Sequence, residues 1–180
     1  MPQIFGDRIV LREYRDSDLD HIRQWVNDPE ITNTLSDNFL YPHSKYETES
    51  FFRMMVEGKS SNKSFIIAVK DSLEYIGQID LYKIDWKNRF AHLAVVIGRK
   101  EYLGKGYGSE AIRLLQKFTF EELNLNRIEL EVYEYNERAY KCYLKCGFKE
   151  EGRYRNKIYT KGKYRDSICM SILRSEYEQA

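Results

Sequence analysis

The sequence has no excess of charge of either sign. Its 29 lysines and arginines are nearly balanced by 28 aspartates and glutamates, which leaves a net charge of +1 over 180 residues. Bulk charge therefore gives no reason to expect a nucleic-acid partner or an acidic membrane surface. Any anion that the protein binds must be held by a local group of donors.

Long hydrophobic runs and a disulfide framework are also missing. Apolar runs such as Phe65–Val69 are far too short to span a bilayer, and the charged, strand-like segment Met1–Arg12 lacks the apolar block of a signal peptide. The cysteines Cys142, Cys146 and Cys169 are odd in number and lack metal-ligand spacing. We expect a cytoplasmic protein with no membrane association, no metal site and reduced thiols, of which Cys142 and Cys146 are buried.

Proline is scarce, and nothing in the sequence divides the chain. There are only three prolines, and we find no repeat, low-complexity tract or linker rich in Pro, Gly or Ser. A chain of 180 residues is long enough to build one sizeable core. We therefore expect a single domain over residues 1–180.

What the sequence does contain is a series of strand and helix patterns. Strands are predicted at 9–12, 64–69, 75–82, 89–97, 127–133, 148–159 and 164–173. Helices are predicted at 16–26, 44–58, 111–118 and 136–147, and residues 30–43 are expected to be irregular. An antiparallel meander followed by the order β-α-β-α-β-β predicts an α/β fold, with a mixed, mostly antiparallel twisted sheet and helices on both of its faces.

A glycine-rich loop connects the meander to the next helix. Gly104, Gly106 and Gly108 alternate along it, and without a Cβ they let backbone N–H groups turn toward one point. The positive end of the following helix adds to this effect, and Lys105 and Arg99–Lys100 bring further positive charge. The pattern favours a diphosphate site over a merely flexible connection.

Two other phosphate-binding motifs fit this loop less well. The spacing between Gly98 and Gly104 is one residue too long for a nucleoside-triphosphate loop, and Gly106 stands where that motif has Ser or Thr. Residues 106–111 match the dinucleotide pattern G-x-G-x-x-A, but residues 98–103 separate them from the preceding strand. A nicotinamide-binding oxidoreductase is therefore a weaker alternative.

The loop is one part of a larger combination of motifs. The parts are Val95–Ile97, Gly104–Gly108, Asn136, Tyr143–Phe148, Glu151–Gly152 and Gly162–Asp166. Together they resemble the GNAT superfamily of N-acetyltransferases, in the branch that holds spermidine acetyltransferases and ribosomal-protein N-terminal acetyltransferases. The resemblance runs from Ile9 to Leu173 and is densest over 92–152. At Leu103 the family usually has Gln or Arg, so one side-chain contribution to phosphate binding is lost.

The resemblance implies that the whole chain is one N-acetyltransferase domain with acetyl-CoA as its co-substrate. The pantetheine arm would lie in a splay between the strand ending at Ile97 and the strand beginning near Arg127, paired with backbone groups as an added strand. The implied cofactor-binding residues are Val95, Val96, Ile97, Leu103, Gly104, Lys105, Gly106, Tyr107, Gly108, Ser109 and Asn136.

Tyr143 is the first candidate for catalysis, because the family places a tyrosine beside the CoA sulfur. Proton transfer from a phenol of pKa about 10 to a thiolate of pKa about 8.5 is uphill by about 2 kcal/mol. Tyr143 is therefore better suited to donate a hydrogen bond to the leaving thiolate. The alternative is an ordinary core aromatic in a chain with 15 tyrosines.

His92 is the second candidate. Strand alternation places it on the same face as Ala94 and Val96, and relatives in this branch often have a carboxylate at this position. It is either a base that deprotonates the incoming amine, directly or through water, or an ordinary half-buried histidine. A backbone N–H near Val96 could hold the oxyanion.

The acceptor is expected to be the amine of a small molecule or a peptide, with polyamines such as spermidine slightly ahead of protein N-termini. Four acidic residues could attract such a cation or could simply be solvated: Glu47, Glu49, Asp80 and Asp85. A noncatalytic acyl-CoA-binding module is the alternative function. Homo-oligomerisation is left open.

Overall fold

The structure is a computed structural model that describes residues 3–179. Its strands are β1 (Ile4–Phe5), β2 (Ile9–Arg12), β3 (Lys63–Val69), β4 (Tyr75–Asp85), β5 (Phe90–Ile97), β6 (Arg127–Tyr133), β7 (Lys149–Thr160) and β8 (Lys163–Leu173). Its helices are α1 (Leu19–Trp25), α2 (Pro29–Thr32), α3 (Lys45–Val56), α4 (Tyr107–Lys117), α5 (Glu137–Lys145) and α6 (Arg174–Tyr177). One π-helical turn, Phe118–Glu122, continues α4.

The eight strands form a sheet in the order β1-β2-β3-β4-β5-β6-β8-β7. β5 and β6 run parallel, and α4 provides the crossover that a parallel pair requires. The pairs β1–β2, β2–β3, β6–β8 and β7–β8 are antiparallel. The predicted α/β fold with a mixed, mostly antiparallel sheet is confirmed.

Two short elements differ from the sequence-based expectation. Residues 30–43 are not wholly irregular, because α2 begins at Pro29 and Asp28 caps it by accepting a hydrogen bond from the Glu30 N–H at 3.0 Å. Proline at the first helical position is pre-organised for this role. The helix predicted over 16–26 opens as a 3-10 turn at Asp16–Asp18 before α1 begins.

The contacts within the chain define two compact units. Unit 1 comprises Met1–Asp80 and Val95–Leu114, and unit 2 comprises Leu81–Ala94 and Leu115–Ala180. The single domain expected over residues 1–180 stays a prediction.

The core of unit 1 is built around β2, β3 and the helices α1 and α3. Its buried cluster consists of Val10, Tyr14, Ile22, Trp25, Val26, Ile31, Phe52, Ile66, Ala68 and Tyr75. A buried ion pair lies beside it, with Arg12 donating to both carboxylate oxygens of Asp18 at 2.8 Å. The two opposite charges can be buried together because they neutralise each other, and because two parallel hydrogen bonds join the guanidinium to the carboxylate.

In unit 2, β6 has two faces of different chemistry. Ile128, Leu130 and Val132 are buried, whereas Arg127, Glu129 and Glu131 alternate with them and form ion pairs. This period of two places a charged row on one face of the strand. Among residues 3–179 there is no helix with the length and apolar character needed to cross a membrane.

The three cysteines are free thiols. Cys146 is buried as predicted, but Cys142 is only half-buried. The part of the chain that the structure describes contains no group of three or more His, Cys, Asp or Glu side chains suited to a metal ion.

Candidate active site

The glycine-rich loop has the backbone conformation that a phosphate cradle requires. Gly104 and Gly106 have φ values of +71° and +85°, a region that other residues rarely adopt. α4 then begins at Tyr107, so the positive N-terminal end of the helix follows the loop directly. Both the oriented loop amides and the positive helix end favour an anion here.

Arg8 holds this loop in place, and sequence reasoning missed it. Its Nη1 donates to the carbonyl oxygen of Lys105 at 3.0 Å, and its Nε donates to Glu110 Oε2 at 2.9 Å. Its guanidinium also lies 4.4 Å from the ring centre of Tyr107. No local pattern could reveal this residue, because it precedes its partners by about a hundred positions in sequence.

The positive charge expected around the loop is only partly available. Lys100 Nζ lies 2.7 Å and 2.8 Å from the carboxylates of Asp28 and Glu30, and Arg99 pairs with Glu74 and Glu101. Arg99 and Lys100 are therefore committed to structural ion pairs. Lys105 is exposed and has no ion-pair partner within residues 3–179, so its charge is not neutralised by a neighbouring carboxylate.

The strand end Val95–Ile97 is half-buried and closely packed on β4. A Cβ at Gly77 would lie 2.1 Å from the carbonyl oxygen of Val96, so only glycine allows this approach. The Gly98 N–H then donates to the carbonyl oxygen of Ile76 at 2.9 Å. The position of this strand end is thus set by backbone contacts.

His92 belongs to a charged row in unit 2. Its Nε2 lies 2.9 Å from Glu129 Oε1, and the other oxygen of Glu129 accepts from Arg127 Nε at 2.7 Å. Burial lowers the pKa of His92 below its usual value, against an opposing effect of the Glu129 charge. The imidazole is therefore neutral at neutral pH, with its hydrogen on Nε2 and an acceptor lone pair on Nδ1, as a general base requires.

We expect His92→Gln to remove the acidic limb of the pH profile of kcat and to lower the plateau. Because the pKa of His92 is depressed, the basic form is present at neutral pH and is lost only as the pH falls below about 6.5. Glu129→Gln should move this limb to still lower pH, since the Glu129 charge raises the pKa of His92. An unaltered profile in the His92→Gln enzyme would return this residue to a structural role.

Tyr143 lies on the inner side of α5. The residue is 8% exposed, and its ring meets that of Phe148 edge-on with 5.8 Å between the ring centres. Burial, followed by the nearby Cys142, Cys146 and Tyr82, raises the pKa of Tyr143 well above its usual value. The phenol thus keeps its proton, which favours the role of hydrogen-bond donor over that of full proton donor. Its hydroxyl makes no hydrogen bond within residues 3–179.

Asn136 is the N-cap of α5, as predicted. Its Oδ1 accepts from the Ala139 N–H at 3.3 Å. The carbonyl of the side chain is therefore used by the helix, and the side-chain NH₂ group is the part that could donate to a ligand.

Tyr82 lies beside both catalytic candidates in unit 2, and sequence reasoning missed it. Its ring centre is 5.3 Å from that of His92, and it is also among the groups that raise the pKa of Tyr143. The two candidates thus share one neighbour. The predicted cofactor-binding residues other than Asn136 belong to unit 1.

The four acidic residues expected to attract a cation differ in their environments and partners. Glu47 completes the capping box of α3, Glu49 pairs along the surface of the same helix, and Asp85 holds the turn between β4 and β5. Asp80 stands apart, because it is half-buried and has no ion-pair partner within residues 3–179. Burial raises its pKa to about 6.

Comparison with known proteins identifies the family to which this chain belongs. A family model described as the acetyltransferase (GNAT) domain matches residues 8–149. The chain belongs to the GNAT acetyltransferases. It is 31% identical to p20, an uncharacterized N-acetyltransferase of Bacillus licheniformis, over 98% of this chain and 99% of that protein. It is 29% identical to the spermidine N(1)-acetyltransferase of Vibrio cholerae over 96% of both chains.

The GNAT fold is also seen in a solved relative. The crystal structure of spermidine N-acetyltransferase from Vibrio cholerae in complex with CoA and spermine matches with a TM-score of 0.83 at 27% identity, and the match covers 96% of this chain and 99% of that one. The GNAT protein described here is therefore an N-acetyltransferase with acetyl-CoA as its co-substrate.

Proposed function

We propose that this GNAT enzyme acetylates a primary amine of a polyamine such as spermidine, with a peptide N-terminus as the second candidate. The observation that carries the proposal is the near full-length likeness to spermidine N-acetyltransferases, one of them solved with CoA and spermine. A half-buried carboxylate without a cationic partner, Asp80, suits a polycationic acceptor. Three free thiols are consistent with action in the cytoplasm.

The assignment of individual residues is part of this proposal. The loop backbone from Leu103 to Ser109 would hold the diphosphate, and Val95–Ile97 would pair with the pantetheine arm. The side-chain NH₂ of Asn136 would donate to that arm. The conformation of Gly104 and Gly106 supports the first of these roles, and the capping geometry of Asn136 supports the last.

Acetyl-CoA supplies an activated acyl group, and the protein must manage charge and protons around it. As the new C–N bond forms, a backbone N–H near Val96 would hold the developing oxyanion. His92 would take the proton that the nitrogen loses. Tyr143 would donate a hydrogen bond to the sulfur as the C–S bond breaks, so that CoA departs as a stabilised thiolate.

Thiol release with a panel of acceptors tests the substrate class. We expect turnover with spermidine and spermine, less with small ribosomal-protein peptides, and little with aminoglycosides. The KM for spermidine should rise with salt concentration, because screening weakens attraction between acidic groups and a polycation. Turnover confined to neutral or anionic acceptors would contradict the proposal.

A further inference from the structure

The pair Glu151–Gly152 lies at an irregularity of the sheet and has no part in the chemistry described above. β7 pairs with β8 through Glu150–Met170 and Gly152–Cys169, so Glu151 is one extra residue between these two pairs. Such an insertion is a β-bulge, which bends a strand and re-aims a side chain, and bulges are frequent beside active sites. The position of Glu151 therefore indicates a specific role for its carboxylate.

That carboxylate is bonded to Arg127 on β6. Arg127 Nη1 and Nη2 donate to its two oxygens at 2.7 Å and 2.5 Å, and Ser171 Oγ donates to Oε1 at 2.7 Å. The bond from Arg127 is the main cause that lowers the pKa of Glu151 to about 2. Glu151 and Arg127 are therefore both charged throughout the pH range of an enzyme assay.

Arg127 uses its remaining N–H group on a second carboxylate. Its Nε donates to Glu129 Oε2 at 2.7 Å, and Glu129 Oε1 lies 2.9 Å from His92 Nε2. A guanidinium is planar and rigid, so a carboxylate that grips one edge of it also fixes the direction of its Nε–H. Side chains from β7, β6 and β5 thus form one hydrogen-bonded network within unit 2.

The network is more than a pair of surface charges. The side chains of Arg127 and Glu151 are 27% and 43% exposed, and an isolated pair of this kind contributes little to stability. Here a single guanidinium joins two carboxylates through three N–H groups, a geometry that holds each partner in a defined direction. We therefore expect the network to govern orientation more than the free energy of unfolding.

We propose that Glu151 is a positioning residue, which orients the imidazole of His92 through this network. Glu151 fixes Arg127, and Arg127 fixes the carboxylate of Glu129 that accepts from the imidazole Nε2–H. The Nδ1 lone pair of His92 is then held ready for the proton of the amine, and Glu129 stabilises the imidazolium that forms. The inference rests on the proposed role of His92 as the base. A base held in one orientation lowers the barrier because no search for that orientation is needed.

The charges that face His92 come from β4 and β6. Burial is the largest influence on its pKa and lowers it. Lys83 and Arg127 lower this pKa further, whereas Glu129 and Glu131 raise it. The balance between Arg127 and the two glutamates therefore affects the pH at which the imidazole gains its second proton.

The sign of the effect of Glu151 follows from this balance. With Gln at position 151, Arg127 has one negative partner fewer, so its positive charge acts more fully on Glu129 and His92. The pKa of His92 should then fall below its already depressed wild-type value. The basic form would persist to a lower pH, and the acidic limb of the pH profile of kcat would move in the same direction.

The test compares Glu151→Gln with the matched change Glu150→Gln at the preceding position of β7. The Glu150 carboxylate bonds to Arg153 and Tyr140, so it is not part of the network. Glu151→Gln should lower kcat at least about tenfold with little change in the KM for acetyl-CoA, because orientation of the base is lost. Glu150→Gln should keep the parental kcat and the parental pH profile.

NMR titration of His92 provides a readout that requires no turnover. The chain has three histidines, and the signals of His92 are identified by their loss in His92→Gln. In Glu151→Gln the titration midpoint of His92 should fall, and ¹⁵N shifts should show a mixture of neutral tautomers in place of the single Nε2–H form. An unchanged midpoint and tautomer in folded Glu151→Gln would overturn the inference and leave the proposed function intact.

Arg127→Lys separates orientation from charge, because lysine keeps the positive charge but cannot bond two carboxylates in fixed directions. It should also lower kcat and mix the tautomers of His92. Parental values of both would overturn the positioning role. If Glu151→Gln shifts the titration of His92 while His92→Gln keeps the parental kcat, the network orients the imidazole as inferred and the proposed base is the part that fails.

Discussion

A Tyr143→Phe enzyme is expected to lose about a hundredfold in kcat, with little change in its affinity for acetyl-CoA. The substitution keeps the aromatic ring that meets Phe148 edge-on and removes only the hydroxyl. If that hydroxyl donates a hydrogen bond to the sulfur as negative charge develops there, the hydrogen bond stabilises the transition state more than the bound substrates. Such a loss lowers kcat and leaves ground-state binding almost intact.

The structure sharpens this expectation in two ways. The raised pKa of Tyr143 means that complete proton transfer to a thiolate is more uphill than for an ordinary phenol, so a hydrogen bond is the mode that remains. In addition, no residue in 3–179 accepts from its hydroxyl. The free energy of unfolding should therefore change little in Tyr143→Phe, because no internal hydrogen bond is broken.

Tyr140→Phe is the matched control, since it removes a tyrosine hydroxyl from the same helix. The Tyr140 hydroxyl donates to Glu150 Oε2 at 2.9 Å, so its loss should affect the surface of α5 and not the rate. Single-turnover kinetics with saturating acetyl-CoA, together with thermal unfolding of both variants, provide the measurement. Parental turnover in Tyr143→Phe would assign Tyr143 to core packing.

The features that the sequence predicts correctly are those in which the interacting residues lie within a few positions of each other along the chain. Ser44 and Glu47 exchange the two hydrogen bonds of a capping box, and Asn136 caps α5. Gly147, predicted to end that helix, has a φ of +85°. Each of these is fixed by residues within one turn of helix, so a local pattern is enough to find it.

The features that the sequence misses arise from long-range pairing. Arg8 anchors a loop that lies about a hundred residues later, and the carboxylate that orients His92, Glu129, belongs to another strand. Lys100 looks like a phosphate ligand in the sequence because its two acidic partners lie some seventy residues earlier. Only the tertiary arrangement shows which charges are already neutralised, and this is also why Asp80 could not be separated from Asp85 beforehand.

The second large effect is expected at the loop, where Gly106→Val should weaken acetyl-CoA binding at least tenfold, or about 1.4 kcal/mol. Gly106 has a φ of +85°, and a β-branched residue is strongly disfavoured in that region. The new Cβ would also lie 3.3 Å from Nη2 of Arg8, the residue whose Nη1 and Nε anchor the loop and the start of α4. The side chain would therefore both distort the cradle of N–H groups and obstruct the approach of a diphosphate.

Gly58→Val controls for backbone strain in this experiment. Gly58 has a φ of +66° and open space around its Cβ position, and it lies just after α3, away from the loop. Both variants should lose stability through the strained conformation, but only Gly106→Val should lose affinity. Calorimetric titration with acetyl-CoA at a temperature where both variants are folded makes the comparison. Equal affinity in the two would mean that the diphosphate is held by side chains such as Lys105, and the backbone cradle would then lose its assigned role.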